Sequence, residues 1–250
     1  MSTFQAHDPG TPLAQWQASA QLQAVPAISV EQLLPAGCRL VVVAPHPDDE
    51  VLGCGGLLAA LRGREQALLL VSVSDGEASH PHSRQWSQER LREQRPRESA
   101  AALRRLGLDL ARIQWLRLGL ADTSVAQHER WLAEHLVGLL RPRDRVLTTW
   151  RLDGHSDHDA VGRACARACE TVGAQLLEVP IWAWHWARPN DPRLPWQRAH
   201  KLFLDPGVRV LKQQAIAAHT SQLLADGATP AVLLPTTLAR LLQPFELVFT

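Results

Sequence analysis

The sequence predicts an α/β protein in which a doubly wound, mainly parallel sheet has helices on both of its faces. Three observations predict this fold. The apolar runs 40–45 and 68–73 are continuous rather than alternating, which is typical of strands buried on both faces. Strand-like and helix-like segments alternate five times, as in repeated strand–helix–strand units. The 250 residues, 46% of them hydrophobic, are enough to bury a sizeable core.

The predicted elements follow one another in a regular order. We expect strands at 40–44, 67–74, 113–116, 145–149, 175–179, 201–204 and 244–249. We expect helices at 13–24, 51–62, 87–106, 125–140, 157–172 and 208–224. This order predicts a Rossmann-like sheet. Because no linker divides the chain, we expect one domain over 1–250, with a peripheral N-terminal arm at 1–36. The segment 180–200, rich in Trp and Pro, is expected to form a flap near the site.

Charge and composition argue against several classes of protein. Lys plus Arg is 26 and Asp plus Glu is 25, so a net charge of +1 gives no strong global attraction to nucleic acid or to an anionic membrane. The apolar runs are far shorter than the ~20 residues of a membrane helix. The four cysteines form no C-x-x-C pair, and residues 1–23 lack a basic start and a continuous apolar stretch. We therefore expect buried free thiols in a cytoplasmic protein without a nucleic-acid partner, and a homo-oligomer stays open.

The densest group of chemically active side chains lies at 44–50, directly after the first buried strand. It contains His46, Asp48, Asp49 and Glu50, together with two prolines that restrict the loop. In open α/β sheets, ligands bind beyond the carboxyl ends of the strands. We therefore expect a functional site here. The alternative is a solvated start of a helix, with Asp48 or Asp49 as its N-cap.

A second group, at 153–159, follows the predicted strand 145–149 and contains His155 and His158. It is expected at the same edge of the sheet as the first group. Imidazole and carboxylate groups suit zinc, and a catalytic zinc site keeps three protein ligands and one open position. The two groups together therefore predict a metal site, whereas a single histidine could equally cap a helix or face solvent. The spacing leaves open which of the two histidines binds metal and which faces substrate.

Several blocks of the sequence resemble the PIG-L/LmbE-like zinc-dependent N-deacetylases. The most specific block is Pro-His-Pro-Asp-Asp-Glu at 45–50, followed by Gly-Cys-Gly-Gly at 53–56. The resemblance continues in Arg-Pro-Arg-Glu at 95–98, Leu-Gly at 106–107, Gly-His-Ser-Asp-His at 154–158 and His-Thr-Ser-Gln at 219–222. These blocks run in the family's order from about residue 39 to 222. The chain departs from the family at Ser156, where proline is usual, and in the Trp-rich segment after Pro180.

The resemblance implies a ligand set and two catalytic roles. It implies one zinc ion per chain, bound by His46, Asp49 and His158. It also implies Asp48 as the general base and a protonated His155 as the group that stabilises the oxyanion. General chemistry is consistent with these roles, because zinc lowers the pKa of bound water toward ~7 and a nearby carboxylate accepts the proton.

Other residues are candidates for supporting roles. Glu50 is expected to orient His46 or to cap the helix that follows. Arg95 is either a substrate contact or part of a solvated helix face, and Glu77, Asp122 and Trp184 are further candidate substrate contacts.

Three tryptophans and a run of glycines allow two interpretations each. Trp182, Trp184 and Trp186 alternate, which on an extended segment places the indoles on one face. That face either stacks on a sugar or acyl group or belongs to the core. The glycines at 53–56 lack the G-x-G-x-x-G spacing of a dinucleotide fingerprint, so close packing of helix against sheet explains them better.

The function predicted from these residues is hydrolysis of an N-acyl group, most simply acetyl, from an amino sugar or glycoconjugate. The first alternative is an amidase that acts on a non-sugar amide or a sugar–thiol conjugate. The second is a non-catalytic module that binds a nucleotide or cofactor on the same fold. Metal content separates the second alternative from the two enzymes.

Overall fold

The computed structural model describes residues 9–250, and in this part of the chain seven strands form one sheet. The strands are β1 (Leu40–Ala44), β2 (Leu68–Ser74), β3 (Gln114–Leu120), β4 (Arg145–Thr149), β5 (Gln175–Val179), β6 (Ala199–Phe203) and β7 (Phe245–Phe249). Three of them, β1, β4 and β5, have the predicted bounds. β3 extends four residues beyond the prediction, because it pairs with β2 as far as Leu120.

The strand order is β3-β2-β1-β4-β5-β7-β6. β1 lies parallel to both β2 and β4, β2 lies parallel to β3, and β4 lies parallel to β5. β7 is antiparallel to β5 and to β6. The predicted doubly wound, mainly parallel sheet is therefore confirmed. The order reverses direction between β1 and β4, which is where open α/β sheets form a crevice for ligands.

The helices cover both faces of the sheet. They are α1 (Leu13–Gln17), α2 (Ala20–Ala24), α3 (Val30–Leu33), α4 (Asp49–Ala59), α5 (Gln88–Arg105), α6 (Glu129–Leu139), α7 (Ser156–Val172), α8 (Ala183–Trp186), α9 (Pro206–Ile216), α10 (Thr220–Leu223) and α11 (Pro235–Leu241). Val42 faces the core formed with α4, α5 and α9, whereas Val43 faces the core formed with α6 and α7. Successive β1 residues are therefore apolar on both sides.

Two predicted helices are each divided into two shorter ones. The segment 13–24 breaks at Ser19, whose hydroxyl accepts a hydrogen bond from the Leu22 N–H and so starts a new helix. The segment 208–224 breaks after Ile216, because the Glu98 carboxylate accepts a hydrogen bond from the Ser221 N–H. In both cases a side chain replaces a helical carbonyl as the acceptor.

The N-terminal segment packs more closely than a peripheral arm would. Trp16, Leu33 and Leu34 are each 1% exposed and belong to the core formed with α4 and α9. The Trp16 indole N–H also donates to the Trp184 carbonyl oxygen at 3.0 Å. A few apolar side chains thus anchor residues 9–36 of the predicted arm to the core, and its first eight residues lie outside the described part of the chain.

Helix α4 bends at Cys54, where φ is −142° and ψ is 27°. The bend leaves the N–H groups of Gly56 and Leu57 without helical acceptors, and the buried Glu246 carboxylate accepts from both, at 2.6 and 3.0 Å. Lys212 balances this charge, with Nζ 2.7 Å from Glu246 Oε1. A buried ion pair on β7 and α9 therefore holds the second half of α4 in place.

The glycines of α4 allow the helix to lie close to the sheet. A Cβ atom at Gly53 would lie 2.6 Å from the Val179 side chain of β5, and one at Gly56 would overlap the Leu204 side chain. The expectation that these glycines serve helix-to-sheet packing is thus confirmed.

All four cysteines are free and buried, as the sequence predicted. Among the described residues, no helix combines the length and the apolar character that are needed to cross a bilayer.

We predict that Glu246→Gln destabilises the fold by about 3–5 kcal/mol, because it leaves the buried Lys212 ammonium without a counter-charge. Urea denaturation followed by circular dichroism measures the effect. Glu134→Gln, which removes one partner of the exposed Arg130–Glu134 pair, serves as the control and should leave the midpoint unchanged. Equal midpoints for the two variants would contradict the role given to Glu246.

Candidate metal centre and catalytic site

The two groups of polar residues meet at one edge of the sheet. His46 lies in the loop that leaves the carboxyl end of β1, and His155 and His158 lie at the start of α7, beyond β4. β1 and β4 are neighbouring parallel strands. The expectation that both groups share the carboxyl edge, at the reversal of strand order, is therefore confirmed.

The Asp49 carboxylate lies between the two histidines that were predicted as ligands. Its Oδ2 atom lies 3.1 Å from His46 Nδ1 and 3.3 Å from His158 Nε2. His158 Nε2 is buried and has no hydrogen-bond partner of adequate geometry in the described chain. A buried imidazole nitrogen that lacks a satisfactory hydrogen bond and lies beside a carboxylate is suited to a metal ion, which would displace its proton, so the residues present fit a metal centre.

Three further carboxylates contact the other nitrogens of these rings. Asp153 Oδ2 lies 2.8 Å from His158 Nδ1. Asp122 Oδ1 and Asp157 Oδ2 lie 3.2 and 3.4 Å from His46 Nε2. Metal-binding histidines commonly have such a carboxylate behind them, which fixes the ring orientation and makes the ligand more basic.

Charge compensation in this buried cluster shifts the pKa values. Burial favours the neutral imidazoles, but hydrogen bonds to the three surrounding carboxylates raise the pKa of His46 well above its ordinary value. Asp49 and Asp153 likewise outweigh burial and raise the pKa of His158 to about 9. Burial favours protonated Asp49, yet the neighbouring His158 and His46 hold the pKa of this carboxyl well below its usual range. The cluster thus stabilises charged groups away from water.

His155 lies beside the two predicted ligands, and ring nitrogens of His46, His155 and His158 all lie within 4.8 Å of one another. Three histidines are therefore a second possible ligand set. His155 Nδ1 accepts a hydrogen bond from the Asp157 N–H at 3.2 Å, so the hydrogen of the neutral ring is on Nε2. Burial, with His158 and His46 nearby, lowers the pKa of His155 to about 3. The metal-free chain thus favours the neutral ring, whereas a protonated His155 was expected.

Asp48 occupies the N-cap position of α4 but makes no side-chain capping hydrogen bond. Its φ of +142° is unusual for a residue with a side chain, and such strained backbone occurs mainly at functional sites. Its Oδ2 instead accepts a hydrogen bond from Arg95 Nη2 at 3.1 Å. Burial raises the pKa of Asp48 to about 7, although Arg95 opposes the shift. A carboxyl group with this pKa can both accept and release a proton near neutral pH.

Arg95 and Glu50 hold the strained loop from two sides. Arg95 is 3% exposed and donates to the carbonyl oxygens of Gly76 and Pro47 as well as to Asp48, so it is not part of a solvated helix face. Glu50 Oε2 accepts the Asp48 N–H at 3.0 Å. Glu50 thus stabilises the backbone at Asp48, and no described contact joins it to His46, contrary to one expected role.

The block 219–222 is attached to α5 through Glu98. The Glu98 carboxylate accepts from the hydroxyls of Thr220 and Ser221 at 2.8 and 2.6 Å. Gln222 borders the cavity of the site, and its Nε2 donates to the Ser221 hydroxyl at 2.9 Å. The block at 95–98 therefore connects two loops of the site, with Arg95 bound to one and Glu98 to the other.

The structure places two of the four candidate substrate contacts away from the cavity. Trp184 is buried in the core, where its ring packs edge-on against Trp16 at 4.9 Å, and it does not line the cavity. Glu77 is buried in the loop that follows β2, where its carboxylate accepts a hydrogen bond from the Asp122 N–H at 3.4 Å. Asp122 does line the cavity, but it contacts His46. Arg95 also lines the cavity, while it is bound to Asp48.

The tryptophan segment is helical rather than extended, so its indoles do not share a face. Asp153 explains the difference, because its carboxylate accepts from the N–H groups of Ile181, Trp182 and Ala183 at 2.9 Å each. These contacts start helix α8. Trp182, rather than Trp184, then lies at the site, with its ring stacked on His155 at 6.1 Å.

The cavity at the cluster has a volume of about 230 Å³. Its lining includes His46, Asp48, Asp49, Asp122, His155, His158 and Trp182. Sequence reasoning gave no roles to Asp153 and Asp157. Their positions in the second polar group could have indicated that they contact the ligands, because each lies within five residues of His158.

Comparison with known proteins places this geometry in context. Residues 41–169 match the family model described as PIG-L, GlcNAc-PI de-N-acetylase. The 1D-myo-inositol 2-acetamido-2-deoxy-alpha-D-glucopyranoside deacetylase 1 of Catenulispora acidiphila is 29% identical over 214 residues, which are 76% of this chain and 64% of that protein. The chain thus spans less than two thirds of this curated relative.

Solved structures share the fold. Teicoplanin deacetylase Orf2, in its zinc-inhibited form, superposes with a TM-score of 0.62 at 18% identity and covers 84% of this chain and 97% of its own. The N,N'-diacetylchitobiose deacetylase of Pyrococcus horikoshii superposes with a TM-score of 0.56 at 19% identity, over 75% of this chain and 72% of its own.

We predict that His219 makes the stability of the protein depend on pH. Burial and the nearby Arg95 lower the pKa of this fully buried histidine to about 3, against an ordinary value of 6.5. The unfolded chain therefore binds a proton below pH 6.5 that the folded chain does not, and stability falls as the pH decreases. Between pH 7.5 and 5.5 the loss from His219 is about 1 kcal/mol.

Urea unfolding at the two pH values, for the parent and His219→Leu, tests this prediction. The variant should lose about 1 kcal/mol less than the parent between pH 7.5 and 5.5. The exposed His128, changed to Asn, is the control and should behave as the parent does. An unchanged pH dependence in His219→Leu would show that the ring is protonated in the folded protein.

Proposed function

Because this chain belongs to the PIG-L family, as its match over residues 41–169 establishes, we propose that it is a zinc-dependent hydrolase that removes an N-acyl group from an amino-sugar conjugate. Acetyl is the group that we expect. The names of the relatives support this proposal, since they describe deacetylases of N-acetylated sugars and of teicoplanin. We expect one zinc ion per chain and a cytoplasmic enzyme.

The position of Asp49 Oδ2 between His46 Nδ1 and His158 Nε2 is the observation that most strongly supports the proposal. These three groups would hold the ion, with a carboxylate behind each imidazole. A bound zinc ion would supply a water molecule of lowered pKa and would polarise the acyl carbonyl. His155 is not favoured as the third ligand, because its Nδ1 already accepts the Asp157 N–H. A further set of His46, Asp122 and Asp157 would leave the unsatisfied His158 Nε2 unused.

Asp48 is suited to the proton transfers of amide hydrolysis. Its pKa of about 7 allows the carboxylate to accept a proton from the attacking water and then to deliver it to the departing amine. Arg95 and Glu50 hold the carboxylate and its backbone in one position, so it need not reorganise between the two transfers.

His155 is suited to stabilising the oxyanion of the tetrahedral intermediate. Its Nε2–H remains as a donor because Nδ1 accepts a backbone hydrogen bond. A neutral imidazole held in this way can donate to a developing negative charge without first gaining a proton.

The cavity argues against a module that binds nucleotides. Its lining contains the carboxyl groups of Asp48, Asp49 and Asp122 beside the imidazoles of His46, His155 and His158, a donor set that suits a metal ion rather than a phosphate. The glycines of α4 are explained by packing against Val179. Neither feature distinguishes an N-acetylated amino sugar from another amide as the substrate. An assay that compares substrates of the two kinds therefore tests the amidase alternative.

We predict that zinc binding depends on Asp49 and not on His155. After dialysis against metal-free buffer, His46→Ala, Asp49→Ala and His158→Ala should bind zinc more than about 100-fold more weakly than the parent. Asp153→Asn should bind it about 10–100-fold more weakly, because it disturbs a group behind a ligand. Elemental analysis and competition with a chelator measure these effects.

His155→Ala is the matched control, and it should keep zinc while it loses turnover. If His155→Ala lost the metal and Asp49→Ala kept it, the three-histidine set would replace the one proposed.

We predict that Asp48→Asn lowers kcat by about 10²–10⁴-fold, because the amide cannot accept a proton. Zinc content and substrate affinity should change little, since Asp48 is not among the proposed ligands. Acetate release from an N-acetylated amino sugar, with zinc present, measures kcat. The exposed Glu134→Gln is the control for the loss of one carboxylate. If Asp48→Asn kept at least half of the parent rate, the base would be reassigned to Glu50 or His155.

A further inference from the structure

A second, larger cavity adjoins the cavity of the metal centre. Its volume is about 610 Å³, against about 230 Å³ for the first. Ser79, Trp182, Val232 and Thr237 line both, so the two spaces meet along a shared wall. None of the proposed catalytic groups lines the second cavity, and the proposed reaction gives it no role.

The inner walls of the second cavity are mainly apolar. Trp182, Pro230, Ala231, Val232 and Leu234 are all partly buried there. Exposed residues such as His82, Arg84 and Thr229 lie at the rim, and His80, His185 and Asp226 add polar groups to the interior. A mainly apolar interior with a few polar groups is the usual character of a site for an organic ligand.

The sizes of the two cavities indicate how a substrate would be divided between them. Sites for organic ligands usually measure about 300–1,000 Å³. The metal cavity alone is smaller than this range, whereas the second cavity falls within it. A substrate whose amide lies at the metal would therefore extend past Trp182 into the larger space.

We propose that the second cavity binds an apolar alkyl or aryl group that is attached to the amino sugar. The proposal rests on the proposed function and specifies its substrate class, namely an N-acetylated glycoside with an apolar aglycone rather than the free sugar. Trp182, at the junction, contributes its indole to the walls of both cavities.

The experiment compares the methyl and hexyl glycosides of N-acetylglucosamine in two measurements. The first is kcat/KM for acetate release, and the second is affinity by calorimetry with metal-free protein, which does not require turnover. Each fully buried methylene strengthens binding about fourfold. Burial of only two of the five additional methylenes therefore predicts an increase of about 15-fold for the hexyl glycoside in both measurements.

Two substitutions at Ala231, which lines only the second cavity, test whether the alkyl group binds there. Ala231→Asp places a charge in the apolar interior, and Ala231→Phe fills it. Both should reduce the hexyl-to-methyl ratio toward one. Leu224→Asp is the matched control, because Leu224 is 57% exposed and lies outside the cavity, and it should keep the parent ratio. Circular dichroism and thermal unfolding establish that each variant is folded.

The outcomes separate this proposal from the proposed function. If neither glycoside releases acetate but the hexyl glycoside still binds more tightly, and Ala231→Asp abolishes the difference, the cavity proposal stands and the deacetylase fails. Equal affinities and equal kcat/KM values for the two glycosides would overturn the cavity proposal alone. A preference for N-acetylglucosamine 1-phosphate over the hexyl glycoside would also overturn it, in favour of an anion at the Arg84 rim.

Discussion

The site depends on the compensation of charge among side chains that are almost completely buried. His46 and His158 are buried with four carboxylates around them, and each imidazole contacts at least two of these. An uncompensated charge in such surroundings would cost several kcal/mol. The carboxylates therefore require a positive partner. In the isolated chain the raised pKa values of His46 and His158 make the imidazoles that partner, and in the proposed enzyme a bound metal ion would take this role.

Asp153 shows how the same compensation also determines local structure. One of its oxygens lies 2.8 Å from His158 Nδ1, and the carboxylate as a whole accepts three backbone N–H groups at the start of α8. The side chain of Asp153 thus fixes both the ring orientation of His158, a proposed ligand, and the position of Trp182. A substitution of Asp153 should therefore affect both the metal centre and the wall that it shares with the larger cavity.

Helix α5 connects two further segments of the site to each other, through charged residues on its buried side. Arg95 binds the strained loop at Asp48, and Glu98 binds the segment that contains Gln222. A φ of +142° at a non-glycine residue costs of order 1–3 kcal/mol, and the surrounding hydrogen bonds must hold it. The fold thus keeps the proposed base away from the capping role that its sequence position suggests, and its carboxylate faces the cavity.

Patterns along the chain determined the core strands, the location of the site at the carboxyl edge of the sheet, and the chemistry of the two polar groups. The continuous apolar runs predicted β1 and β2, because strands buried on both faces need apolar residues at every position. The alternation of strand-like and helix-like segments predicted β4 and β5 with their observed bounds. The residue types at 46–50 and 155–158 indicated a metal site, since imidazole and carboxylate groups are common metal ligands.

The tertiary structure decided the features that depend on distant partners. The break in helix 208–224 requires Glu98, the helical turn at 183–186 requires Asp153, and the burial of Arg95 requires the loops at Asp48 and Gly76. Each partner lies between 19 and 123 residues away along the chain. Local periodicity contains no information about a hydrogen bond formed over such a separation, so the sequence indicated which groups meet and only the fold decided what each of them contacts.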